Sequence, residues 1–155
     1  MRAIDGVVLV SAVALIAYAL IGCGGRSVPA LRASPTLTPG MLNPAVTQDT
    51  IDATICTHGW TATVRPPTSY TSALKKRQMA EYGVAGSAGA YQEDHLISLE
   101  LGGDPTDPRN LWPEPYPRAS QVDRIENELN AQVCSGSLTL DEAQRRESVL
   151  KHDYG

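Results

Sequence analysis

The residues of this chain best able to do chemistry lie in one run, Tyr91 to Pro115, which reads YQEDHLISLELGGDPTDPRNLWPEP. It holds an acid–histidine pair, Asp94-His95, then a glycine pair, Gly102-Gly103, and then Asn110-Leu111-Trp112. Histidine is the side chain whose unperturbed pKa, about 6.5, suits a general base near neutrality. The carboxylate beside it offers oxygen to a hard cation, and a nearby side-chain amide can fix an imidazole tautomer. A lone histidine between an acid and Leu96-Ile97 is most often a packed structural residue. The order and spacing of the whole run lift it above that. If Asp94 and His95 share a strand, they point to opposite faces. The glycines and the Asp/Pro-rich loop turn the chain back, so that Asn110 returns beside His95.

The elements around this hairpin must position it. The clearest is a helix over Ala119–Cys134, with Val122, Ile125, Leu129 and Val133 forming one apolar stripe. A neighbouring face carries Asp123, Asn127, Asn130 and Cys134, whose spacing of four, three and four lines them up. Asp123 and Asn127 are the oxygen-bearing candidates on that face; a solvated amphipathic surface is the competing explanation. A second helix is expected from Ser72 to about Tyr82, carrying the basic cluster Lys75, Lys76 and Arg77, which either touches phosphates or is a solvated face. Thr139 to Glu142 resembles a capping box opening a last helix to about Leu150, and Thr47 caps a short helix over Gln48–Ile55. Thr61 to Val64 reads as extended and Val84 to Ala90 as loop. Trp112 reads as a core plug, Glu114 as a turn residue and Glu93 as an exposed or supporting acid. His58 and His152 are weak ligand candidates.

Composition bounds the molecule. The 155 residues carry 13 Lys+Arg against 17 Asp+Glu, a net charge of −4, which does not mark an avid nucleic-acid binder. Residues Val7 to Ile21 are apolar apart from Ser11, too short for a typical membrane span and suited to a signal peptide. The run ends at Leu20-Ile21-Gly22-Cys23, which resembles a bacterial lipobox with Cys23 as the lipidated residue. An uncleaved anchor and plain secretion remain alternatives, and all three place the rest outside the cytoplasm. Residues 24–42, rich in Pro and small polar residues, read as a disordered tether, and 43–155 as the folded domain. If Cys23 is lipidated, Cys56 and Cys134 form an even pair in an oxidising setting, either bridged or as buried thiols. A zinc site is disfavoured because neither has a CxxC partner.

The segment DHLISLELGGDPTDPRNL resembles the HNH, or His-Me finger, nuclease motif, with its D-H pair, G-G turn and N-L some fifteen residues on. The chain is similar also to small exported bacterial proteins with an EDHL…LELGG…NLWPEP core, a likeness covering most of Asn43 to Leu150. The resemblance implies an α+β fold with a small ββα-metal core, flanking helices and one disulfide. It implies that His95 is the general base, Asp94 a metal ligand and Asn110 the residue orienting the histidine. A third ligand is usual eight or nine places after the asparagine, where this chain has Arg118 to Ser120, so Asn127 and then Asp123 stand in for it. Oxygen ligation of this kind favours one Mg²⁺, with Mn²⁺ or Zn²⁺ as alternatives. The implied activity is metal-dependent, non-specific hydrolysis of DNA or RNA by an exported protein, tethered to the outer face of the membrane through a lipid or helix. The alternative is an inactive binding or structural module on the same scaffold.

Overall fold

The computed structural model describes residues 31–155. The expectations for the signal run and for Cys23 lie outside the described residues. Among the described residues, no helix is long and apolar enough to cross a membrane. The described residues are α+β, with one two-stranded antiparallel sheet and four α-helices among them.

The sheet is the hairpin of β1 (Tyr91–His95) and β2 (Leu111–Pro115), paired so that Asp94 faces Trp112 and His95 faces Leu111. Both strands are edges, so Pro113 and Pro115 cost β2 no essential ladder bond. The strand stops at His95. The following Leu96 to Leu101 tucks into the core and ends in a 3₁₀ turn, Leu99–Leu101. With no partner strand available, this apolar run buries its side chains by coiling. Gly102 then takes a left-handed backbone (φ +77°), and a Cβ on Gly103 would collide with the Ile97 carbonyl, so both glycines are required. Asp104 Oδ1 accepts from Thr106 and Asp107 N–H at 2.9 and 2.8 Å, turning the loop towards β2.

Helix α1 (Trp60–Val64) replaces the extended segment expected over Thr61–Val64. Gly59 (φ +80°) turns the chain into it, and Trp60 packs on the core, outweighing the strand preference of threonine and valine. The short helix expected over Gln48–Ile55 is a 3₁₀ turn, Gln48–Ala53, opened by Thr47. Helix α2 (Thr68–Glu81) begins four residues before its expected start, directly after Pro67. Helix α3 (Arg118–Cys134) and helix α4 (Leu140–Asp153) follow the hairpin, and Thr139 Oγ1 accepts from Glu142 N–H at the head of α4. The Glu142 side chain does not complete a capping box; it pairs with Arg145 and Arg146.

The main core joins Val46, Ile55, Ile97, Leu101, Leu129, Val133, Leu140 and Ala143, under a Cys56–Cys134 disulfide whose Cα atoms are 5.5 Å apart. Trp112, fully buried, anchors a second cluster with Leu96 and Ala33. Ala33 belongs to the stretch expected as tether, yet residues 31–42 are built into the fold. Ala33 N–H donates to the Lys151 carbonyl, Thr38 is fully buried against Tyr82, and Leu42 bridges Gly103. The folded body therefore starts ahead of Asn43. Ala33 and Thr38 are small and follow no apolar period in the sequence, so nothing local marks them as buried.

Candidate metal centre

The hairpin brings Asp94 and His95 to the floor of a small cavity of about 60 Å³, lined also by Arg65, Gln92, Glu100, Asp123 and Glu126. Asp94 and His95 are both buried. His95 Nε2 donates to the Pro105 carbonyl at 3.1 Å when the ring is neutral, which leaves Nδ1 as the unprotonated nitrogen. Burial holds the His95 pKa below its ordinary value despite the attraction of Asp94, so the ring is neutral at pH 7.

Asn110 does not touch the imidazole, contrary to the expectation of direct contact. It is completely buried, and its amide is consumed by the loop backbone. Oδ1 accepts from Ile97 N–H at 3.0 Å, while Nδ2 donates to the Ile97 and Asp104 carbonyls at 3.0 and 2.9 Å. The Asp104 carbonyl precedes the Pro105 carbonyl that holds His95. Asn110 thus orients the histidine at one remove, by fixing the loop whose carbonyl does so.

Asp94, Asp123 and Glu126 place carboxylate oxygens within 4.8 Å of one another. Asp123 was a sequence candidate, and it joins the cluster. Asn127, the other one, is exposed and bonds back to the Asp123 carbonyl at 2.6 Å, so it does not line the cavity. Its place is taken by Glu126, which sequence reading missed. The buried face of α3 is Ala119, Val122, Glu126, Leu129 and Val133, whereas Ile125 is only partly buried. Ile125 satisfied the apolar pattern and hid the acid beside it. The remaining members of the sequence face are structural: Asn130 Nδ2 donates to the Glu100 carbonyl at 2.8 Å, and Cys134 holds Cys56.

Lys151 of α4, also missed, is fully buried beneath the cavity floor. Its Nζ lies 2.8 Å from Asp94 Oδ2, 2.6 Å from Glu126 Oε1 and 3.3 Å from Glu147 Oε1, and it donates to the His95 carbonyl. Both Glu147 oxygens also accept from Ser98 N–H at 3.0 Å. Burial works against the Asp94 carboxylate, but Lys151 overcomes it and holds that pKa below normal. Burial and its acidic neighbours push Glu126, Glu147 and Asp123 up. Glu114, opposite Gln92 in the hairpin, is fully buried and its pKa is pushed up to about 9 by burial and by Asp94. It is protonated at neutral pH and positioned to donate to Asp94. Half-buried Glu93 is likewise raised to about 8 by burial, with the charge of Lys75 working against the rise.

The basic cluster stands apart. Lys75 Nζ donates to the Tyr91 carbonyl at 2.8 Å, Lys76 and Arg77 are exposed, and none lines the cavity. The cation that does line it is Arg65, just past α1. No protein-family model matches the chain, and no curated protein or solved structure matches it.

Proposed function

We propose that the protein is a metal-dependent phosphodiesterase of the nuclease type, cleaving DNA or RNA without sequence preference outside the cytoplasm. The observation that carries this reading is the juxtaposition of a neutral, carbonyl-held His95 with the clustered carboxylates of Asp94, Asp123 and Glu126. An all-carboxylate set suits a hard ion, Mg²⁺ or Mn²⁺, better than zinc. Such an ion, when bound, neutralises charge on the phosphate and on the leaving oxygen. His95 takes the proton of the attacking water at Nδ1. Pro105 stabilises the resulting imidazolium through its carbonyl, and Asp94 does so through its charge. Arg65, at the cavity rim, holds a phosphate oxygen. The net charge of −4 and the single cavity arginine support weak, non-specific binding of the polyanion.

The disulfide suits an oxidising compartment. Tethering at the outer face of the membrane rests on Cys23 and the apolar run before it. Cys23→Ala should move the protein from the membrane fraction to the soluble one, and retention on the membrane would leave an uncleaved anchor as the tether.

The decisive assay incubates the purified full chain with plasmid DNA and with RNA, in Mg²⁺, Mn²⁺ or chelator, beside His95→Ala. Cleavage should require the ion and fall by roughly 10²–10⁴ in the variant, the usual range for a general base. No cleavage with any ion would sink the nuclease reading. A second reading, a non-catalytic envelope module, draws support from Lys151, which already neutralises part of the carboxylate cluster. It requires neither cleavage nor ion uptake.

A further inference from the structure

Lys151 has the surroundings of a bound ion more than those of an ion-pair partner. Its ammonium has three hydrogens, yet it faces oxygens from Asp94, Glu126, Glu147 and the His95 backbone, all in the protein interior. Acceptors outnumber what one ammonium can satisfy. Glu114, completely buried against Asp94, receives no hydrogen bond on either oxygen; protonated, it is a donor to Asp94 and makes no further claim on the ammonium. Asp94 and Glu126 serve two neighbours at once. One oxygen of each reaches inward to Lys151, while both carboxylates also cluster with Asp123 at the cavity.

We propose that Lys151 is a resident cation filling the inner position of a two-cation carboxylate site, so that the outer position, on Asp94, Asp123 and Glu126, takes a single divalent ion and takes it weakly. The proposal rests on the metal-centre reading above and adds its stoichiometry. The fixed ammonium keeps the carboxylates together without an exogenous ion, and it repels a second charge brought to the same oxygens. Glu147, fully buried and not lining the cavity, counters that repulsion by pairing with Lys151, 3.3 Å from its Oε1.

The test is a Mn²⁺ titration of the full chain, with free Mn²⁺ followed by electron paramagnetic resonance, for the wild type, Lys151→Met, Glu147→Gln and the double variant. The wild type should take up one ion. K151M, neutral and of similar length, should bind the first ion at least about tenfold more tightly or admit a second, because the resident charge is gone. E147Q, which leaves the ammonium leaning on Asp94 and Glu126, should bind it more weakly. A purely structural ion pair predicts the same direction for both: binding unchanged or worse. Circular dichroism checks folding, and if K151M alone unfolds, the double variant, which removes one charge of each sign, carries the same expectation. Affinity and stoichiometry at or below the wild-type level in a folded variant lacking Lys151 would overturn the proposal. Uptake by K151M but not by the wild type would leave Lys151 as sole occupant and defeat the nuclease reading instead; uptake by neither would defeat both.

Discussion

Glu126 and Asn127 are adjacent in the chain and opposite in their surroundings. Glu126 is buried against Lys151, while Asn127 is exposed and spends its amide on its own helix. Glu126→Gln should therefore weaken Mn²⁺ binding by roughly tenfold or more, about 1.4 kcal/mol, whereas Asn127→Ala should leave it unchanged within error. Isothermal titration calorimetry on the two variants separates them. Equal effects, or a larger one at Asn127, would return the third ligand to Asn127, the stand-in offered by the helix face. The sequence signal for Glu126 existed, an acid three residues after Asp123 and four after Val122. It was masked because Ile125, on the opposite flank of Val122 about 100° around the helix from Glu126, offered an apolar match to the same stripe. Glu147 and Lys151 are hidden in the same way, as an ordinary surface-type pair four residues apart that the tertiary packing of α4 turns inward.

At the scale of the elements, the hairpin loop is the part most dependent on single residues. Asn110 replaces a missing strand partner by bonding Ile97 on both backbone groups and Asp104 on one. Asn110→Ala strands these groups in the interior and should cost about 2–4 kcal/mol in chemical denaturation. It should also lower activity by releasing the Pro105 carbonyl from His95, and it should do so even under conditions where the variant remains folded. A variant as stable and active as the wild type would show that the loop holds its shape without the amide. Gly102-Gly103 and the Asp/Pro-rich loop after them were legible as a turn because backbone geometry demands those residue types. Leu96 to Leu101 and Thr61 to Val64 were not, since their conformations follow from what they pack against and not from local preference.

Over the whole molecule, the buried acids set the pH response. Glu114 and Glu93 have folded-state values near 9 and 8, above the ordinary 4.5. The stability contributed by their protonated forms is complete below about pH 4.5 and is lost as pH rises through 8 to 9. Thermal unfolding temperature should therefore fall between pH 6 and 9, with a slope of up to about 1.4 kcal/mol per pH unit for each group. Glu114→Gln should flatten that decline; an equally steep curve in the variant would place the titration elsewhere. The disulfide acts at the same scale, closing a separation of 78 residues between the head of the domain and the end of α3. Reduction, or paired Cys56→Ser and Cys134→Ser substitution, should cost about 2–4 kcal/mol, read as a lowered unfolding midpoint. No change in the midpoint would mean that the core alone holds the two segments together.

The resemblance to the HNH motif implied the α+β class, while the sequence by itself determined the hairpin around Asp94 and His95, the glycine turn and the long helix after it. These follow from periodicity and from backbone rules that act within a few residues. Only the tertiary structure decided that Asn110 serves the loop and not the imidazole, that residues 31–42 belong to the fold, and that Glu126 and Lys151 complete the cluster. Those outcomes depend on which side chains meet in the interior. There the desolvation of a charge must be balanced by partners up to 57 residues away, as Asp94 and Lys151 are.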